Sequence, residues 1–317
     1  MNCQLVKFVN YLLDNDPSPF CEYIINKELL MLDDDTVRGS YDWAVRFKLY
    51  SELRDEQLPD GSWGGFDDMI VKLSANKHFK ATARAIKRIL DLSLDQSDPM
   101  VSQTVELCRE YLSGEKDFPN IWGKNNWGKP IETRHSVAKS LSNFIPDDTN
   151  VVKICEFYAE KLETVCKSGF FDESIWNTTD GINPIFSYDK IYMLSSGNYI
   201  SKETQKIWLE YEWNQKLWYN GNLPSEIKTP DDPSFVFWLA RLDNLKNFTL
   251  FGDFMAQNNS PYFYELCRRL SDKNEDVPIK TNNYFYHQGQ YSEAPRNKQH
   301  KKYDLLLQII RILNKCE

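Results

Sequence analysis

One stretch constrains this chain more than any other: Gln57-Leu58-Pro59-Asp60-Gly61-Ser62-Trp63-Gly64-Gly65. It follows an amphipathic run, residues 40 to 54, and closes it with a turn. Proline presets one φ, and Asp-Gly supplies the left-handed backbone that glycine adopts without steric cost. Gln57 is spaced to hydrogen-bond loose carbonyls at a helix end, and Trp63 to lie over them. The turn then acts as a rigid clip between two helices.

The remainder of the chain repeats helix, cap and helix. Leu5, Phe8, Val9, Leu12 and Leu13 fall at helical spacing in residues 3–14, and the stretch from Asp14 to Pro19 stops them. A second helix is expected over 20–31, and Asp33-Asp34-Asp35-Thr36 offers N-caps for a long third helix reaching Arg54. Paired helices follow at 80–92 with 100–112, 132–144 with 151–166, 188–194 with 201–213, and 234–245 with 261–270, and a last helix covers 303–313. Recurrence roughly every 40 to 60 residues marks an all-α repeat architecture, in which each hairpin buries its apolar face against its neighbours. The first member of each pair is the shorter and, in the first two copies, rich in Ala and Ser; the second carries more charge. That difference fits the inner and outer rings of a closed barrel, the alternative being an open superhelix. No Pro/Gly/Ser-rich linker divides the chain, so a single domain over 1–317 is expected, with polar residues 272–302 forming a long loop or lid.

Composition narrows the function classes. A 41% hydrophobic chain of 317 residues can bury a sizeable core. With 38 basic and 46 acidic side chains, and no basic cluster interleaved with aromatics, nucleic acid is not an expected partner. The first residues lack a signal-peptide pattern, and no apolar run approaches the roughly 20 residues that cross a bilayer, so a cytoplasmic protein without a transmembrane segment is expected. The seven cysteines form no CxxC pair and read as reduced, mostly buried thiols, not as a disulfide frame or zinc knuckle.

The spelling from Gln57 to Trp63 resembles the Q-x-x-x-G-x-W repeat of squalene-hopene cyclases, oxidosqualene cyclases and the β subunits of protein prenyltransferases, which share an α/α toroid. A second stretch, Thr229-Pro230-Asp231-Asp232-Pro233-Ser234, resembles a degraded form of the D-x-D-D-T motif with which class II terpenoid cyclases open an inner helix. The resemblance implies a hydrophobic, isoprenoid- or lipid-like ligand in a central cavity, with Asp231 as a protonated acid and Asp232 as its neighbour. Thr229 stands where that motif has its first aspartate. The same residues also read as a plain N-cap, with Pro233 at the first helical position.

In such a ring the inner helices run parallel and their N-termini share one rim, where polar heads collect. The residues opening them are His78, Lys80 and Thr82; Glu132, Thr133, Arg134 and His135; Tyr188 and Asp189; Asp231 and Asp232; and Tyr303 and Asp304. Tyr188, Tyr192, Phe235 and Trp238 would line the wall, where π faces stabilise cations. His78 and His135 are isolated and the inner helices hold no cysteine, so neither a catalytic zinc nor another cofactor is expected. Three classes stay open: an isoprenoid enzyme, a non-catalytic toroid binding a lipid, peptide or protein, and a glycan-active α/α barrel with paired carboxylates.

Overall fold

The computed structural model describes residues 1–15, 17–66, 79, 81–118, 130–177, 188–214, 223–280, 290–293 and 297–317. Every regular element among them is helical, as the sequence pattern requires. The α-helices are α1 Cys3–Asp14, α2 Pro19–Ile24, α3 Asp34–Ala44, α4 Lys48–Glu56, α5 Thr82–Asp91, α6 Pro99–Ser113, α7 Pro130–Leu141, α8 Thr149–Cys166, α9 Glu173–Asn177, α10 Lys202–Asn214, α11 Phe235–Leu245, α12 Phe251–Asn258, α13 Ser260–Ser271 and α14 Lys298–Asn314. A π-helical turn, Ile25–Leu29, continues α2, and a 3-10 helix covers Tyr188–Ser196. The chain forms two compact units, one from residues 1–51 with 209–317 and the other from 52–208.

The first unit is built around α14. From Lys302 to Leu313 almost every side chain of this helix is buried, whichever way it points, so α14 is covered on all sides. Helices α1 and α13 pack on it, α1 through Leu5, Phe8, Val9 and Leu12 and α13 through Phe263, Leu266, Cys267 and Leu270. Burying α14 takes three charged residues inside, and each is answered. Arg311 makes a two-pronged ion pair with Glu28, both contacts at 2.8 Å, and donates to Tyr291 Oη at 3.0 Å. Asp304 accepts from Ser292 Oγ at 2.9 Å, and Lys302 donates to the Asp272 and Glu275 carbonyls. Arg311 is thus paired with an opposite charge, while Lys302 and Asp304 are satisfied by hydrogen bonds to neutral groups, which offset the cost of burying them.

Several element boundaries differ from the sequence pattern. The last helix begins at Lys298, five residues before the expected start, because Asn297 Oδ1 accepts the Gln299 and His300 amides and nucleates a polar first turn. The end of the expected 272–302 loop is therefore helical. The second helix changes to π-type at Ile25 and finishes at Leu29, and Met31 then takes φ 49°. The expected long helix ending at Arg54 is two helices: after α3, Arg46 and Phe47 donate to carbonyls only three residues back, and the Glu293 carboxylate accepts the Lys48 amide to start α4. The helices α9 and α12 are additions that short apolar patterns did not signal.

The second unit centres on α7, which packs against α5, α6, α8 and the 3-10 helix. Asp98 and Asp148 cap α6 and α8 as their positions before Pro99 and Thr149 foretold. The clip after α4 is anchored to α6. Gln57 Nε2 donates to the Met100 carbonyl and to Thr104 Oγ1, both at 3.0 Å, and to the Gly61 carbonyl at 3.3 Å. Gln103 Nε2 donates to the Pro59 carbonyl at 2.7 Å. Gln57 thus grips the first turns of α6, two helices further along the chain, not the loose end of its own. Trp63, 1% exposed, does not lie over carbonyls as expected; its indole N–H donates edge-on to the Leu53 carbonyl at 2.8 Å.

Candidate functional site

The candidate residues fall into two neighbourhoods, one in each unit. In the unit of residues 52–208, one face of α7 carries His135 and, one turn later, Lys139. His135 Nδ1 shares a hydrogen bond of 3.0 Å with Tyr158 Oη of α8, inside a ring cluster completed by Phe157. Burial, helped by the charge of Lys190, holds the imidazole at about 4, so it is neutral near pH 7. Lys139 reaches the 3-10 helix, where Asp189 Oδ2 accepts from it at 3.0 Å and Asp189 Oδ1 accepts from Lys190 at 2.8 Å. Burial pushes the Asp189 carboxyl upward, but the two ammonium groups outweigh it and hold the group at about 2. Lys139 also lies 5.6 Å above the ring of Tyr192. This arrangement is an ion triad of net charge +1 beside a neutral His–Tyr pair.

Tyr188 turns inward from the same 3-10 helix. It stacks on Trp176 and Trp208, with ring centroids 5.3 and 6.4 Å away, and Phe171 meets all three rings. The Lys161 ammonium sits 4.0 Å over Trp176, a cation held against π density. Trp176 and Trp208 are fully buried in this stack. Sequence reading missed Lys139, Tyr158, Lys161 and Lys190. Only Lys139, four residues after His135 and so on its face, had a local signal.

Arg134 points away from this cluster. It is exposed, and its guanidinium lies beside Gly114 at the end of α6, where a cation complements the helix dipole. Thr82 does open α5, but its Oγ1 accepts the Trp63 amide at 3.1 Å. Thr133 is buried in the second turn of α7. His78 and Lys80 lie outside the described residues, as does the Glu132 side chain.

The second neighbourhood lies in the unit of residues 1–51 and 209–317. Asp231 and Asp232 are not the N-cap of α11, which starts at Phe235 after Ser234. They form the preceding turn, in which Asp232 Oδ1 accepts both the amide and the hydroxyl of Ser234 at 2.7 Å. A hydrogen bond from Thr229 lowers the Asp231 pKa, with Lys280 adding to it, and the Ser234 bonds lower that of Asp232. Both are solvated carboxylates near pH 7. A general acid needs the opposite shift. Behind the turn, Phe235 and Trp238 are buried, and Trp238 meets Tyr262 and Phe263 of α13, with ring centroids between 5.3 and 6.3 Å apart. Tyr303 and Asp304, expected to open the last helix, lie a turn and more inside α14; Tyr303 packs edge-on to Tyr11.

Among the described residues no group of three or more His, Cys, Asp or Glu is arranged to hold a metal ion, and no helix is long and apolar enough to cross a membrane. Set against known proteins, the chain matches no protein-family model, no curated protein and no solved structure.

Proposed function

We propose that this protein is an α/α toroid that binds a hydrophobic, isoprenoid-like molecule and retains it without acid-initiated cyclisation. The observation that carries the binding reading is the aromatic cluster Phe235, Trp238, Tyr262 and Phe263, set directly behind the Asp231–Asp232 turn. Aromatic faces and edges of this density suit an unsaturated hydrocarbon chain. The ionised state of the two aspartates argues for binding over chemistry, because neither has a proton to give an alkene near pH 7. Ring closure draws support from the first unit alone, where the first helix packs on the last two and the Met1 amine comes within 3.9 Å of the Glu317 carboxylate.

Mass spectrometry of organic extracts from the purified protein tests the reading. An isoprenoid or similar lipid recovered in near-stoichiometric amount, and chemically unchanged after incubation, is the expected result. A protein that yields no such molecule and takes up none from detergent-free isoprenoid suspensions refutes it.

A further inference from the structure

Asn259 lies between α12 and α13 with helical backbone, closing the one and opening the other, and its side chain makes no cap hydrogen bond. Its Nδ2 instead donates to the Pro224 carbonyl at 2.9 Å, an acceptor shared with the Trp238 indole N–H at 3.2 Å. This contact fixes the amide's orientation and aims Oδ1 into the protein, where Asn259 is 0% exposed. Oδ1 meets no hydrogen-bond donor among the described residues. One turn on, the Tyr262 hydroxyl is also buried and also meets no partner among them. Residues three apart share a helix face with Cβ atoms about 5–6 Å apart, and the Tyr262 ring packs on the same Trp238 that shares the Pro224 carbonyl.

Two buried polar atoms on one face, without partners among the described residues, work against stability. Such an arrangement is retained where something else completes the hydrogen bonds. The two atoms complement a hydroxyl: Asn259 Oδ1 accepts its proton, and the Tyr262 phenol donates to its oxygen. Trp238 and Phe263, both apolar and buried, pack beside the Tyr262 ring. Neither polar group carries a charge, and Arg269, the cation near the Tyr262 hydroxyl, is ion-paired with Glu275, so the pair matches a neutral head.

We propose that the Asn259–Tyr262 face of α13 is the head-group site for an uncharged, hydroxyl-bearing hydrophobic molecule, an isoprenoid or similar lipid alcohol. The assignment rests on the binding function proposed above and specifies its ligand.

Equilibrium dialysis with labelled farnesol, farnesyl diphosphate and the hydrocarbon farnesene tests it on the full chain. Wild-type protein is expected to bind farnesol more tightly than the other two. Tyr262→Phe and Asn259→Leu should each weaken farnesol about tenfold, the scale of one lost hydrogen bond to a ligand, and leave farnesene within about twofold. Tyr262→Phe removes only an unmatched oxygen, so its melting temperature should be unchanged or higher, which keeps the test open if Asn259→Leu fails to fold. Farnesol binding that both variants leave intact, as when the two atoms hold an ordered water only, overturns the site while the binding function stands. Tighter binding of the diphosphate overturns the neutral head group. Binding of none of the three overturns the function and the site together.

Discussion

His135 shows how far a buried environment moves one side chain. Its folded value of about 4 lies below an ordinary value near 6.5, so the unfolded chain binds the proton more readily. The stability contributed by the neutral ring is complete above about pH 6.5 and is lost as the pH falls towards 4. The gap corresponds to about 3 kcal/mol at most. Urea unfolding of wild type and His135→Gln between pH 4.5 and 7 checks this, and the substituted protein should lose most of the acid-side slope. Asp231 gives the complementary case. As a solvated carboxylate bonded to Thr229, Asp231 should tolerate Asp231→Asn with its melting temperature nearly unchanged and farnesol affinity unaltered. A large loss of ligand turnover on that substitution would return Asp231 to an acid role. The two residues were equally visible in the sequence, but their surroundings were not. Nothing local indicates that Tyr158 and Lys190 come to face His135, or that Lys280 comes to face Asp231.

At the scale of elements, the clip between α4 and α6 sets the sharpest expectation. Gly61 has φ +87°, and a Cβ built there would lie 2.8 Å from the Gln103 carbonyl oxygen, on backbone that has no room to retreat. Gly61→Ala should therefore cost about 2–4 kcal/mol, combining left-handed strain with a steric clash. Gln57→Ala leaves the turn but removes its ties to Met100 and Thr104, and should cost about 1–2 kcal/mol. Thermal melts of the two variants rank the effects, and a Gly61→Ala protein as stable as wild type would refute the geometry. This turn, the Asp98 and Asp148 caps and most amphipathic helices were legible in the sequence because each depends on neighbours a few residues away. The interruption at residues 45–47 and the π-turn at 25–29 were not. They answer to distant groups, namely Glu293 at the start of α4 and Arg311 beside Glu28. The 3-10 helix that stands where an inner α-helix was expected belongs with them, since Lys139 of α7 fastens its Asp189.

For the whole molecule, the seven cysteines provide a simple readout of folding. Cys21, Cys108, Cys155, Cys166 and Cys267 are buried, and burial pushes their thiols up, Cys155 to about 11 and Cys108 and Cys166 to about 12. Cys316 is half-buried and pushed up to about 12 for the same reason. Because the thiolate is the reacting species, Ellman's reagent at pH 8 should label Cys3 within minutes and the other six only as the chain unfolds. Rapid labelling of three or more thiols in native protein would contradict this packing. The sequence anticipated reduced, buried thiols from their spacing, and it anticipated an all-helical protein from the periodicity. It could not indicate that α14, with Lys302, Asp304 and Arg311 among its residues, would be buried on every side. Lys302 read as the end of a loop and Asp304 as a rim residue, and these charges become interior through partners at positions 28, 272, 275, 291 and 292.

The Glu317 side chain takes the Asn2 amide and the Tyr264 hydroxyl, so the residues before α1 and after α14 are neighbours in space. A splice of a few glycines and serines from Glu317 to Met1 would bridge them without disturbing α1 or α14, freeing the chain to be reopened at an exposed bend such as Gly169. A circularly permuted version of that kind should fold and unfold as the original does.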